Sequence, residues 1–533
     1  MYDLLITNGL IVDGTGKAPY GGDIAITAGK IAAIGQNLGG STSIAKKVFD
    51  AQGCVVSPGF IDIHSHSDWC PFYKGYQMES KLQQGITLEI VGNCGISLLP
   101  TTTAKRAEIT ELMASGLELP MHGLSMVDET VTDYEKHLQQ MPPCTDMGLL
   151  IGHGTLRAVV MGFAMKEPSA AELAGMESLL DKLMSEGAFG MSLGLIYPPS
   201  AYGQLEELVA LAKVVKRHNG ILAVHMRSES TKIFEAVDEM LTVAKRSGVH
   251  LQISHLKLIG RPQWGRAQEL LAKIKAARAA GVEVTCDQYP YLATCASLAV
   301  LIPDRMKDGG TEAMCERLKH PDADVIAETK AEMERRGGAE GVLVITTTGW
   351  KPAYDGKTLG QIAADMHMLP EVAASEILVQ SKGLAPCCYF CLNEEDMLTI
   401  MQEKFIAVGC DGYALPYDRD FFMGSNPHPR SYGSFPKFFQ TVREKKVLSL
   451  EEAVYKTTGL AAQILHLPER GQLSVGKRAD ITVFDWEKIK DLTEYTNPFQ
   501  KPEGIKMVVL NGKIALENKE LVGKPQGHLV KHC

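Results

Sequence analysis

Pro58-Gly59-Phe60-Ile61-Asp62-Ile63-His64-Ser65-His66 is an apolar run ending in two histidines one residue apart. In an extended chain, residues two apart project to one face, so both imidazoles reach the same point. An H-x-H pair taken alone reads equally well as two solvated loop histidines. The strand-like residues before it turn the reading towards a buried strand that delivers the pair to a barrel mouth. Residues 55–63 form the first candidate strand. Seven more follow at 86–92, 147–152, 188–193, 221–225, 249–255, 282–289 and 405–411. Between most of them, residues 170–185, 204–218, 231–246 and 267–280 carry apolar side chains at three- and four-residue spacing, which marks amphipathic helices. Eight strand–helix units predict an α/β fold of the (β/α)8 TIM-like barrel type.

Outside the barrel the pattern changes. The first 56 residues are short apolar runs divided by Asn8-Gly9, Asp13-Gly14 and Gly21-Gly22 turns, and the C-terminal part reads the same way, with Asn511-Gly512 as a hairpin turn. The expected organisation is a composite β-sandwich from 1–56 and 466–533 around a barrel at 57–465. More than a hundred residues separate the seventh and eighth strands. We read residues about 300–385 as an inserted subdomain or lid; residues 341–348 within it also suit a barrel strand.

The chain has 533 residues, 45% hydrophobic and 22% charged, which supports a large core and argues against extended disorder. Its net charge of −9 disfavours nucleic acid or an anionic membrane as the main partner. The 12 cysteines are scattered, unlike those of a small disulfide scaffold. No basic-then-apolar leader and no apolar stretch of about 18 residues is visible. The expectation is a soluble cytoplasmic protein with reduced thiols and no membrane segment.

His64, His66, Cys94, His225, His255 and Asp411 all fall where predicted strands end. Singly, each has an ordinary reading: a core histidine, a small buried thiol, an aspartate turn. His153, after the third strand, competes as a further ligand. As a set they fit the carboxyl rim of a barrel, where active sites form. Imidazole, thiolate and carboxylate together suit Zn²⁺.

The whole chain resembles the D-aminoacylase (N-acyl-D-amino-acid deacylase) branch of the metal-dependent amidohydrolase superfamily. The likeness runs through the opening motif, Val91-Gly92-Asn93-Cys94-Gly95, Gly152-His153-Gly154-Thr155-Leu156-Arg157, His225-Met226-Arg227, Ser254-His255-Leu256-Lys257, Tyr289-Pro290-Tyr291 and His428-Pro429-Arg430-Ser431-Tyr432-Gly433. The resemblance implies one tight zinc on Cys94, His225 and His255. It implies a weaker second site on His64, His66 and Asp411, with Cys94 as a candidate bridge. Asp411 is implied as general base and acid, Tyr289 as hydrogen-bond donor to the oxyanion, and Lys257, Arg430 and Tyr197 as holders of a substrate α-carboxylate. Surface salt bridges are the plainer reading of Lys257 and Arg430. The implied reaction is hydrolysis of N-acyl-D-amino acids to a D-amino acid and a carboxylate. Relatives acting on acidic D-amino acids carry a Ser and an Arg after Tyr-Pro-Tyr. Here Cys295 stands where the Ser is expected and no Arg is near in sequence, so the expected side-chain pocket is apolar. No Lys stands in Phe189-Gly190-Met191-Ser192-Leu193, which disfavours branches built on a carboxylated lysine.

Rival readings remain within the same residues. Gly190-Met191-Ser192-Leu193-Gly194 matches the G-x-S-x-G of serine hydrolases, but Pro198-Pro199 delays the helix such an elbow requires. Cys388-Tyr389-Phe390-Cys391 lacks the second pair of a zinc ribbon and reads as buried thiols. A D-dipeptidase or cyclic-amide hydrolase of the same superfamily is the nearest enzymatic alternative, and a metal-free scaffold is the non-enzymatic one.

Overall fold

The computed structural model describes residues 1–39, 45–116, 128–422 and 426–532. Eight parallel strands stand side by side in chain order: Phe60–Asp62, Ile86–Val91, Asp146–Gly152, Gly190–Gly194, Ile221–His225, His250–Ile253, Val284–Gln288 and Ile406–Val408. Every residue in these strands is buried, as expected of a parallel sheet covered on both faces. The first and eighth strands meet beyond their ends, where Asp411 N donates to His64 O at 2.8 Å and His66 N to Gly412 O at 2.9 Å. The Asp62 carboxylate reinforces this seam by accepting from His64 N at 3.2 Å and Cys410 N at 2.9 Å. The fold is therefore the TIM-like barrel that the spacing predicts.

The helices follow from their sequences. Ala170–Ser185 opens on a capping box between Ser169 and Glu172. Leu205–Arg217 carries Glu206 and Glu207 in its first turn and Lys216 and Arg217 in its last, matching the helix dipole, and buries Leu208, Leu211 and Val215. Ile233–Ser247 ends at Gly248 in the left-handed region at φ 73°.

The stretch 55–63, expected as one strand, divides between two sheets. Val55–Pro58 pairs antiparallel with Ile481–Phe484, whereas Phe60–Asp62 pairs with the second barrel strand. Pro58 has no N–H to carry a ladder onward, and the hand-over falls at Gly59, whose N–H donates to Asp480 O at 2.8 Å. The terminal sheet gathers nine strands from both ends of the chain. Its hairpin Ile505–Leu510 to Lys513–Glu517 turns on Asn511 and Gly512, at φ 54° and 78°, the positive values of a type I′ turn.

The insert has its own antiparallel sheet, with Pro386–Tyr389 between Thr294–Ser297 and Val342–Val344. Residues 341–348 therefore add no barrel strand. Helices including Ala323–Arg335 and Pro370–Gln380 close a separate core around Leu301, Met333, Ile377 and Tyr389. Among the described residues, no helix is long and apolar enough to cross a membrane.

Candidate active site

The carboxyl rim brings together donors from five strands. His64 and His66 follow the first strand, Cys94 the second, His255 the sixth and Asp411 the eighth, while His225 ends the fifth. Cys94, His255 and Asp411 hold positive φ values of 52°, 37° and 53°. This left-handed step ends each strand and turns the side chain into the barrel mouth. The donor atoms form two clusters that share Cys94: His64, His66, Cys94 and Asp411, and Cys94, His225 and His255, each within 4.8 Å. Cys94 Sγ lies 3.4 Å from His64 Nε2 and 3.5 Å from His255 Nε2. Asp411 Oδ1 lies 3.1 Å from His66 Nε2 and 3.3 Å from His64 Nε2.

The chemistry of this set fits a thiophilic divalent ion. His225 is buried, yet neither ring nitrogen makes a hydrogen bond, and its nearest carboxylate oxygen, Glu229 Oε2, stands off at 3.6 Å from Nε2. Such a group is costly unless something binds it. Burial alone would raise the Cys94 thiol, but His64 and His255 outweigh burial and bring it well below the usual thiol range, towards the ligating thiolate. Burial also opposes ionisation of Asp411, and Arg430 ahead of His255 reverses this, holding the carboxyl well below its ordinary value.

Two carboxylates that the sequence reading missed stand behind the candidate ligands. Asp287 Oδ1 lies 3.2 Å from His64 Nδ1 and accepts from His255 N at 2.8 Å. Glu229 Oε1 lies 2.9 Å from His255 Nδ1 and accepts from Lys257 Nζ at 2.5 Å. Carboxylates placed behind metal-binding imidazoles fix ring orientation. Asp287 had a legible signal, a charge two residues before Tyr289 inside an otherwise buried strand. Glu229 lies in a loop with no periodicity to mark it.

A cavity of about 460 Å³ opens over the rim. Tyr197, Lys257, Tyr289 and Arg430 all line it. Tyr289 Oη is buried without a hydrogen-bond partner. Tyr197 meets His225 edge-on, with ring centroids 5.2 Å apart. Lys257 and Arg430 pair with Glu229 and Asp411 inside the site rather than at the surface. The insert also brings Arg335 and Arg336 to the cavity wall from a distant part of the chain; Glu332 pairs with both.

Other residues singled out above lie elsewhere or do other work. His153 is no metal ligand: its Nδ1 lies 2.8 Å from Ser200 Oγ and its Nε2 2.8 Å from Glu207. Ser192 Oγ donates to Gly92 O at 2.5 Å and accepts from Gly95 N at 2.9 Å. It pins the Cys94 loop, and among the described residues no titratable base is hydrogen-bonded to it. Cys388 and Cys391 are buried in the insert and join no metal-binding cluster among the described residues.

A barrel whose rim gathers imidazoles, a thiol and a carboxylate beneath a cavity of this size is built as a metal-dependent hydrolase. The chain belongs to the amidohydrolase family, whose model matches residues 47–363 and 420–516, and within it to the D-aminoacylase branch. It is 32% identical to a D-aminoacylase of Alcaligenes xylosoxydans xylosoxydans, over 99% of this chain and 97% of that protein. It is 34% identical to the N-acyl-D-glutamate deacylase of the same organism, over 96% and 93%. The solved N-acyl-D-glutamate deacylase of Bordetella bronchiseptica contains zinc and a phosphonate mimic of the tetrahedral intermediate; it superposes with a TM-score of 0.82 at 30% identity, covering 99% of each chain. A D-aminoacylase structure addressing one-metal activation and second-metal attenuation of a binuclear centre gives 0.83 at 30% identity, covering 100% of each.

Proposed function

We propose that this amidohydrolase cleaves the amide bond of N-acyl-D-amino acids with apolar side chains, releasing a D-amino acid and a carboxylate. The observation that carries the reading is the juxtaposition of Cys94, His225 and His255 beside Asp411 in a chain similar to D-aminoacylases along its length. Cys94, His225 and His255 would hold one zinc tightly, and His64, His66 and Asp411 a second more weakly. Zinc there supplies a Lewis acid that polarises the scissile carbonyl and acidifies water.

Asp411, kept ionised by Arg430, takes the proton of the attacking water and returns it to the leaving amine. Tyr289 donates its unpartnered hydroxyl to the developing oxyanion. Lys257, Arg430 and Tyr197 receive the substrate carboxylate; an Arg fork and an ammonium suit that group. Val300, Leu301 and Ile302 line the cavity near Cys295 and support an apolar side-chain pocket; in the same wall Glu332 pairs with both Arg335 and Arg336 and offsets one of their two charges.

Metal analysis of the purified protein, with a hydrolysis screen, tests the reading. About one tightly held zinc per chain is expected, with N-acetyl-D-leucine, -methionine and -phenylalanine cleaved faster than their L-forms and faster than N-acetyl-D-glutamate. A preference for N-acetyl-D-glutamate removes the apolar pocket. Activity on L-forms alone removes the D-acylase reading.

A further inference from the structure

The insert sheet sets Cys295, in the wall of the cavity, side by side with buried Cys388. Cys295 of the strand Thr294–Ser297 stands opposite Cys388 of the central strand Pro386–Tyr389. The surrounding hydrogen bonds define the type of pair. Leu298 N donates to Ala385 O at 2.7 Å, three steps along the same register from Cys295 and Cys388. Bonded and non-bonded pairs alternate along an antiparallel ladder, so Cys295 and Cys388 form a non-hydrogen-bonded pair. The other edge agrees. Phe390 N donates to Gly341 O at 2.8 Å and Ile345 N to Pro386 O at 2.9 Å, so the Cys388 backbone turns towards Leu343. Pro386, which has no N–H, takes the equivalent non-bonded position opposite Ser297.

In such a pair the Cα atoms lie about 4.5 Å apart with both side chains on one face. Disulfides span Cα separations of about 4.4 to 6.8 Å. Cys388 is 1% exposed, whereas Cys295 lines the cavity; both belong to one small cluster with Ala293, Ile345 and Tyr495. A solute entering the cavity therefore meets the residue Cys295, with Cys388 next to it in the sheet and out of the cavity wall.

We propose that Cys295 and Cys388 are a reversible redox pair, oxidised to a disulfide by a peroxide that enters the cavity, and that this bond weakens substrate binding. The Cys295 sulfur attacks hydrogen peroxide; its S–O bond forms, the O–O bond breaks and one water leaves. The Cys388 sulfur then displaces the hydroxyl of the sulfenic acid, forming S–S and releasing a second water. The two thiols supply the two electrons that reduce the peroxide, and a dithiol restores them by exchange. The consequence for binding runs through the strand. Ala293 O, two residues before Cys295, accepts from His428 Nε2 at 3.2 Å. His428 Nδ1 in turn accepts from Arg430 N at 2.9 Å, and Arg430 pairs with Asp411. Linking Cys295 to Cys388 removes a thiol from the wall that the substrate touches and restrains the segment whose Ala293 O holds His428, the acceptor of Arg430 N.

The bond itself is independent of the proposed reaction; its effect on KM rests on that reading. The zinc-loaded full chain is treated with hydrogen peroxide, alkylated, digested without reduction and mapped by mass spectrometry, with KM for N-acetyl-D-leucine measured in parallel. Expected are a linked Cys295–Cys388 peptide and a several-fold rise in KM with zinc retained, both reversed by dithiothreitol. Cys388→Ala, or Cys388→Ser should the first fold poorly, keeps the reduced KM and ignores peroxide. Absence of the linked peptide when other cysteines have been oxidised overturns the proposal, as does an equal KM shift in the Cys388 variants. A linked peptide in a chain that hydrolyses no N-acyl-D-amino acid upholds the redox pair and overturns the substrate reading instead.

Discussion

Cys94, His255 and Asp411 hold backbone conformations that residues other than glycine seldom adopt. Each costs about 1–3 kcal/mol, and the surrounding barrel over-determines all three. Asp411 combines that strain with burial and an Arg430 partner, the situation of a base held ionised at neutral pH. Asp411→Asn is expected to keep the fold and the tight zinc while lowering kcat by about 10²–10⁴-fold; metal content and turnover measured on one preparation check this. Glu229 is the positioning residue behind His255 and Lys257. Glu229→Gln should weaken zinc affinity by about 10–100-fold, read by chelator competition, and should raise KM through the freed Lys257.

Among the elements, the short first strand carries the most constraint. It leaves the terminal sheet at Gly59, enters the barrel and delivers His64 and His66 within a few residues. A Cβ on Gly59 would lie 2.3 Å from Thr87 Oγ1, closer than any real contact. Gly59→Ala should therefore cost about 1–3 kcal/mol, seen as a lower denaturant midpoint, and Thr87→Ala in the same chain should recover part of it. Buried Lys81, 2.6 Å from Asp62 Oδ2, holds the carboxylate that completes the seam between the first and eighth strands. The element that offers the seam is thus also the one that sets the distance from His66 to Asp411.

For the whole molecule, one buried cluster joins the barrel to the terminal segments. Asp146, at the start of the third strand, pairs with Arg470 and lies 2.8 Å from His528 Nδ1. Met147 N donates to His528 O at 3.0 Å, so the C-terminal segment runs along that strand. Burial raises the Asp146 carboxyl, but Arg470 and His528 outweigh it and lower it from 3.8 to about 2. A depressed carboxyl contributes stability that is present above its unfolded value and lost as pH falls through the folded one. The contribution, about 2 kcal/mol, should therefore be complete above about pH 4 and vanish towards pH 2. Asp146→Asn should flatten stability against pH in that window. It should also cost about 1–3 kcal/mol at neutral pH, because Arg470 loses one of its two carboxylates and keeps Asp480 at 2.7 Å.

Periodicity and local motifs made the barrel legible. Apolar runs, helical spacing and turn residues are properties of neighbouring positions, so the eight strands, the amphipathic helices and the Asn511-Gly512 hairpin could be read in advance. So could the residue types at the strand ends, because a strand that stops in His, Cys or Asp declares it locally. The division of residues 55–63 between two sheets had no such signal; it depends on Ile481–Phe484, which lies far along the chain. Nor did Glu229 behind His255, Arg335 and Arg336 at the cavity wall, or the register that faces Cys295 to Cys388. These are contacts between segments tens to hundreds of residues apart. Only packing chooses among such pairings, since the free energy that selects them exists only once the chain has closed.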